Sequence, residues 1–128
     1  MRVLVDTNVL FSALLFPDSV PAQALYRVAE AHEMVLCDRN ISELRSILKR
    51  KAPKYLADAD VLLTEMAYEI IPAVFSAEKL IRDAKDMPIL NAAIVSEVDV
   101  ILTGDKDFLE LGLDRPKCMT ARQFLENE

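Results

Sequence analysis

An α/β fold, with a central mostly parallel sheet between two layers of helices, follows from three features of this 128-residue chain. Short apolar, β-branched runs alternate with amphipathic helical patterns from one end to the other. The runs lack polar alternation, which marks strands buried on both faces. Glycine occurs only twice and tryptophan not at all, pointing to a helix-rich chain with tight connections.

Each element has its own signal. Val3-Leu4-Val5 predicts the first strand, stopped by Asp6-Thr7-Asn8, and a helical pattern from Val9 to Phe16 follows until Pro17-Asp18 ends it. Ser19 ahead of Pro21 is a helix start, with Leu25, Val28 and Ala29 on one face up to His32. Met34 to Cys37 predicts a second strand. Asp38-Arg39-Asn40 turns into a helix whose inner face is Ile41, Leu44, Ile47 and Leu48, and whose far end, Lys49-Arg50-Lys51, is basic. The pattern from Asp58 to Tyr68 predicts another helix, with Val61, Leu62, Met66 and Ile70 near its apolar side, and Glu69-Ile70-Ile71 a brief third strand. A short turn or helix is expected from Ser76 to Asp83, then a helix from Ile89 to Glu97 opened by Asp86-Met87-Pro88. Asp99 to Thr103 is the clearest later strand; a short helix through Leu111, a strand at Lys117-Cys118-Met119 and a helix capped by Thr120 complete the chain. With no repeat, linker or low-complexity segment, residues 1–128 read as one α/β/α domain.

Composition bounds the function. Hydrophobic residues at 52% against 28% charged make the chain globular. The net charge of −6 argues against broad electrostatic binding to nucleic acid, yet a cluster of carboxylates that gathers cations would give the same balance. Cys37 and Cys118 lack CxxC spacing and read as reduced core residues. No signal segment and no apolar stretch of about 20 residues is visible, so a cytoplasmic protein without a membrane span is expected.

The chemistry lies in the carboxylates. Asp6, Glu43, Asp86, and Asp105 with Asp107 fall where strands end or helices begin. Each has a plain structural explanation. Asp6, Asp86 and Asp105 can cap helices, and Glu43 three residues after Asn40 fits a capping box. In a parallel sheet, however, strand ends and the following helix starts share one edge, where open α/β sheets bind ligands. Carboxylates brought together there repel, and a divalent cation relieves the repulsion. Oxygen-only ligands suit Mg²⁺ or Mn²⁺; zinc would need His or Cys, and His32 lies on a helix away from these motifs.

Val3 to Asn8, Ile41-Ser42-Glu43-Leu44, Asp86 to Ala93 and Leu102 to Phe108 resemble, in order and spacing, the successive motifs of PIN domains. Arg82 to Asp86 is similar to the pattern of the VapC-type toxin ribonucleases within that family, while Met87 stands where that subgroup would carry another acidic residue. The resemblance implies metal-dependent hydrolysis of RNA phosphodiester bonds. Asp6, Glu43 and Asp86 match the three family carboxylates, Asp105 the fourth acidic position, and Asp107 an acidic position beyond it whose metal role varies. Thr7, Asn8 and Thr103 match supporting polar positions. On this reading Asp6 and Asp86 hold an ion, Asp105 helps orient the attacking water, and Glu43 completes the metal shell and can take up a proton. Lys49, Arg50, Lys51 and Lys106 are candidates for contact with phosphate, against the plainer reading of solvated charge and helix capping. An antitoxin protein and a homodimer are family habits with no residue signature here; the helices near 21–32 and 58–69 carry enough Leu, Val, Tyr and Met to suggest an apolar surface for a partner.

Two other classes compete. A phosphoaspartate protein, either a receiver or a dehalogenase-type phosphatase, also places an Asp at a strand end with Mg²⁺. The phosphatase would need a second Asp where Asn8 stands, and the Leu36–Asp38 region matches a receiver's phosphoacceptor weakly. A binding module that keeps the fold without catalysis is the other, and the intact acidic set argues against it.

Overall fold

In the computed structural model, which describes residues 1–75 and 87–127, five parallel strands form one sheet in the order β3-β2-β1-β4-β5. The strands are β1 (Arg2–Val5), β2 (Glu33–Cys37), β3 (Glu69–Ile71), β4 (Val100–Leu102) and β5 (Lys117–Met119). The helices are α1 (Thr7–Leu15), α2 (Val20–Ala31), α3 (Asp38–Lys51), α4 (Leu56–Glu65), α5 (Met87–Val95), α6 (Lys106–Leu109) and α7 (Ala121–Asn127). A single 3₁₀ turn, Pro53–Tyr55, joins α3 to α4.

The period of two in each strand sorts the core into two layers. Val3, Val5, Met34, Leu36, Val100 and Leu102 pack with α1, α2, α3, α4 and α7 on one face. Leu4, Val35, Cys37, Ile71 and Ile101 pack with α5 and Phe108 of α6 on the other. Both faces of the central strands β1, β2 and β4 are covered, which is why those three read as unbroken apolar runs. The chain builds β1, β2 and β3 outward in one direction, then returns to place β4 on the other side of β1. That reversal makes the β1–β4 seam the switch point of the sheet, where a crevice opens at the carboxyl edge. Val5 pairs with Leu102, and the Asp6 N–H donates to the Leu102 carbonyl at 2.9 Å, so Asp6 and Thr103 leave the sheet side by side.

Several local expectations shift. Helix α3 begins at Asp38 with no intervening turn, and Asn40 rather than Glu43 closes its first turn: the Asn40 Oδ1 accepts from the Cys37 N–H at 3.1 Å. The Asn40–Glu43 capping box is therefore absent, and Glu43 faces elsewhere. Helix α4 starts at Leu56 and ends at Glu65, burying Ala59 and leaving Val61 about half exposed; Ile70 belongs to the edge strand β3, also exposed. Ser19 and Thr120 cap α2 and α7 as the sequence suggests, accepting from Ala22 N–H at 3.3 Å and Gln123 N–H at 3.1 Å. Both cysteines are free thiols. Cys37 is buried and Cys118 half-buried, and burial pushes each up to about 11. The expected turn at Ser76–Asp83 lies outside the described residues. Among the described residues no helix is long and apolar enough to cross a membrane.

Candidate active site

A cavity of about 480 Å³ opens at the carboxyl edge, lined by Asp6, Thr7, Asn8 and Phe11 of the β1–α1 junction, by Glu43, Ser46, Ile47, Arg50 and Lys51 of α3, and by Asp105. Three elements supply it for simple reasons. Asp6 is the N-cap of α1, with its side chain accepting from Thr7 N–H at 2.9 Å. Asp105 caps α6 in the same way, accepting from Asp107 N–H at 2.9 Å. Glu43, Ser46, Ile47 and Arg50 stand at i, i+3, i+4 and i+7, one stripe of α3 turned towards the cavity.

Asp6 is held from four directions. Its Oδ1 accepts from Thr7 N–H and from Asn40 Nδ2 at 3.3 Å; its Oδ2 accepts from Thr103 Oγ1 at 2.8 Å and Asn8 Nδ2 at 3.1 Å. The holders are themselves fixed. Thr103 Oγ1 accepts from Asp105 N–H at 3.0 Å, and Asn8 Oδ1 accepts from Gly104 N–H at 3.1 Å, tying the β4 exit to β1. Asn40, fully buried, also donates to Thr7 Oγ1 at 3.1 Å, and Thr7 Oγ1 donates to Glu43 Oε2 at 3.1 Å. Asp6 and Glu43 are thus linked through Thr7 and Asn40, while Arg39 lies 3.7 Å from the other Glu43 oxygen.

Burial pushes the Asp6 carboxyl above its ordinary range. The hydrogen bonds from Thr103 and Thr7 pull it back, and the nearby Glu43 and Asp105 push it up again. Capping alone would call for none of these like-charged neighbours.

Of the residues singled out from sequence, Asp6, Thr7, Asn8, Glu43, Asp105, Arg50 and Lys51 line the cavity, and Thr103 lies buried beneath Asp6. Lys49 and Lys106 are exposed and outside its lining, as is the half-buried Asp107, whose N–H serves Asp105. Asp86 lies outside the described residues. Asn40 was missed: a polar residue near a helix start reads as a cap, and only its burial reveals that it also holds Asp6. Ser46, Ile47 and Phe11 were missed as lining too, although the helical stripe from Glu43 to Arg50 was present as a signal.

The donor chemistry here fits a hard divalent cation, because every charged acceptor is a carboxylate and no imidazole or thiol lines the cavity. Among the described residues, no three Asp, Glu, His or Cys side chains are gathered closely enough to hold an ion by themselves. Asp6, Glu43 and Asp105 thus supply ligand chemistry without a closed three-carboxylate cluster.

The fold and cavity define a parallel α/β domain with an acidic site at its switch point. Comparison with known proteins gives the class a family. Residues 2–107 match the PIN domain model, and the chain belongs to the PIN domain family. It is 30% identical to the uncharacterized protein MJ1680 of Methanocaldococcus jannaschii over 143 aligned positions, covering 98% of this chain and 90% of that protein. In three dimensions it is similar to a chain in the structure of VapBC2 from Rickettsia felis bound to a DNA fragment from their promoter. The TM-score there is 0.70 at 17% identity, covering 94% of this chain and 98% of that one. A PilT N-terminus domain protein, SSO1118 of Sulfolobus solfataricus P2, is similar with a TM-score of 0.50 at 15% identity, over 99% and 92% of the two chains. At these identities the structural likenesses establish a shared fold.

Proposed function

We propose that this protein is a metal-dependent endoribonuclease of the VapC type, the toxin of a toxin–antitoxin pair. The observation that carries the reading is the cavity itself. Asp6, Glu43 and Asp105, from three separate elements, face one space whose rim holds Arg50 and Lys51. Asp6, Glu43 and Asp105, with Asp86, are the residues that would hold Mg²⁺ or Mn²⁺. Such an ion supplies, when bound, Lewis acidity towards phosphate and a water of near-neutral pKa. The chain's own residues do the rest. Thr103, Asn8, Asn40 and the Thr7 N–H fix both oxygens of Asp6, so its orientation needs no rearrangement during reaction. Thr7 holds Glu43 by one oxygen, placing a second carboxylate to accept a proton. Arg50 and Lys51 meet the charge of an incoming phosphate, while the acidic remainder of the protein discourages indiscriminate binding. RNA as substrate, an antitoxin partner and a homodimer belong to the same reading. Tyr26 on α2 and Val61 on α4, both about half exposed beside a shared groove, favour a protein partner.

The test compares wild type and Asp6→Asn on single-stranded and structured RNA, with Mg²⁺, with Mn²⁺ and with EDTA. Cleavage by wild type that needs the metal and is absent from Asp6→Asn is expected. Equal cleavage by both proteins would trace the activity to a contaminant. If wild type cleaves nothing and Mn²⁺ titration shows no binding, the protein is a degenerate binding module.

A further inference from the structure

A second groove adjoins the acidic cavity and shares Glu43 and Ser46 with it. Its other walls are Asp38, Arg39 and Ser42 of α3, and Ala73 and Phe75 from the segment that follows β3. Phe75 is 75% exposed, more than any other large hydrophobic side chain among the described residues. Its backbone neighbours are tightly held. Ala73 N–H donates to Asp38 Oδ1 at 3.1 Å, Val74 N–H donates to the Pro88 carbonyl at 3.1 Å, and Asn91 Nδ2 donates to the Val74 carbonyl at 3.1 Å. Three bonds from α3 and α5 thus fix the two residues before an aromatic ring that is left in solvent. The Arg39 guanidinium lies 5.9 Å from the ring centroid and 3.7 Å from Glu43, so it spans the space between the ring and the acidic cavity.

An exposed phenyl ring costs hydration free energy and contributes little to the core, so the core does not explain its presentation. Single-stranded nucleic acid is bound where a charged track for phosphates runs beside aromatic rings on which bases stack. Arg50 and Lys51 supply such charge at one end of the joined grooves, and Arg39 with Phe75 supplies the platform at the other. We infer that Phe75, backed by Arg39, is a stacking subsite for one unpaired base of a nucleic-acid strand whose phosphate backbone enters the Asp6–Glu43 cavity. The inference rests on the ribonuclease reading and adds to it that the substrate is unpaired at this position, since a base in a duplex cannot reach an isolated ring. Stacking is tolerant of base identity, so the subsite selects strandedness more than sequence.

The experiment uses the full chain carrying Asp6→Asn, so that the strand stays intact. Its probe is a short labelled oligoadenylate, together with versions holding one abasic ribose at successive positions. Adding Phe75→Ala should weaken binding of the intact strand by about tenfold. Phe75→Trp should restore it. One abasic position should weaken binding to the Phe75 protein by a similar factor and have no further effect on Phe75→Ala. Because the ring is exposed, thermal unfolding of Phe75→Ala should match that of its parent. Affinity of Phe75→Ala within twofold of its parent overturns the inference and leaves the ring to a protein partner. So does an equal loss for intact and abasic strands at every position. Cleavage by protein with Asp6 intact, measured on the same strands, separates the two readings. Metal-dependent cleavage without a Phe75 effect removes the subsite alone. Phe75-dependent, base-dependent binding without cleavage removes the ribonuclease alone.

Discussion

Strand β1 carries a charge at each end, and the two ends are treated in opposite ways. At the amino edge, Arg2 donates to both Glu69 oxygens at 3.2 and 3.0 Å, lies 3.6 Å from Glu33, and gives its backbone N–H to Asp99 at 2.8 Å. Arg115 adds a second cation 3.2 Å from Asp99. The Arg2 side chain holds Glu69 below its usual range, and the Arg2 N–H and then Arg115 do the same for Asp99. Four residues later the chain leaves the strand at Asp6, buried, surrounded by neutral donors and facing two more carboxylates, with its carboxyl pushed up. Matched charge at one edge fastens strands to one another. Like charge gathered at the other edge opposes folding and persists where function requires it.

Breaking both ends in parallel separates the two roles most strongly. Asp6→Asn should lower RNA cleavage by about a thousandfold, the rate equivalent of the several kcal/mol an ion at such a site contributes. Arg2→Ala, 4 residues away along the chain, should change cleavage by less than twofold per folded molecule while lowering the thermal midpoint. Initial rates and melting curves on the same preparations check this pair. Arg2→Ala losing activity as Asp6→Asn does would dissolve the distinction.

Metal removal sharpens the contrast next. EDTA should lower cleavage at least about a hundredfold, and Mg²⁺ or Mn²⁺ should restore it. A readout independent of activity accompanies it: at ten times its dissociation constant, an ion that binds only the folded chain adds about 1.4 kcal/mol to stability. Mn²⁺ should therefore raise the melting midpoint of wild type and of Arg2→Ala, and leave that of Asp6→Asn where it was. A rise in all three would place the ion away from Asp6.

Thr103→Val probes the support beneath the site. The hydroxyl donates to Asp6 and accepts from Asp105 N–H, so its loss takes one donor from the buried Asp6 Oδ2, which keeps Asn8, and removes the acceptor of the part-buried Asp105 N–H. Roughly 1–3 kcal/mol of stability should go with it. Cleavage should fall about tenfold as Asp6 loses one of its four holders, a milder effect than losing the carboxylate. Urea titration and initial rates measure the two losses. An unchanged rate would show that Asn8, Asn40 and the Thr7 N–H suffice.

The legible part of this fold was whatever carried a period or a terminus. Strands β1, β2 and β4 were readable because both faces are buried and the runs are unbroken, and Asp6 and Asp105 because each follows such a run. The start of helix α4 is hidden in the sequence: Leu56 continues directly from a 3₁₀ turn, and Pro53-Lys54-Tyr55 carries no helix-start signal for it. The basic run Lys49-Arg50-Lys51 is one block in sequence, whereas the α3 stripe selects Arg50 and, at its end, Lys51 for the cavity and leaves Lys49 outside. Asn40 and Phe75 were illegible for different reasons. Asn40 has the residue type of a cap, and its bond to Asp6 across 34 residues is tertiary. Phe75 is a lone aromatic outside any periodic pattern, and its exposure depends on bonds from Asp38 and Asn91 that no local signal announces.

The smallest effect is also the most direct test of the difference between the edges. Asp6 has a folded-state pKa above its ordinary value near 3.8, so protonation favours the folded chain. The stability it contributes is fully present below the unfolded value and is lost as pH rises through the raised folded value. Glu69 and Asp99 have the opposite sign: their contribution is present above the unfolded value and is lost as pH falls through their lowered ones. In metal-free buffer, wild type and Asp6→Asn share the amino edge, so its titration cancels in their difference. What remains should be Asp6 alone. Wild type should gain on Asp6→Asn as the pH is lowered from neutrality towards about 4, with a slope of at most about 1.4 kcal/mol per pH unit between the two values. Urea midpoints of both proteins across that range measure it. Parallel curves would mean that the four donors around Asp6 fully offset its burial and the nearby Glu43 and Asp105, and a gain for Asp6→Asn in acid would mean that they do more than that.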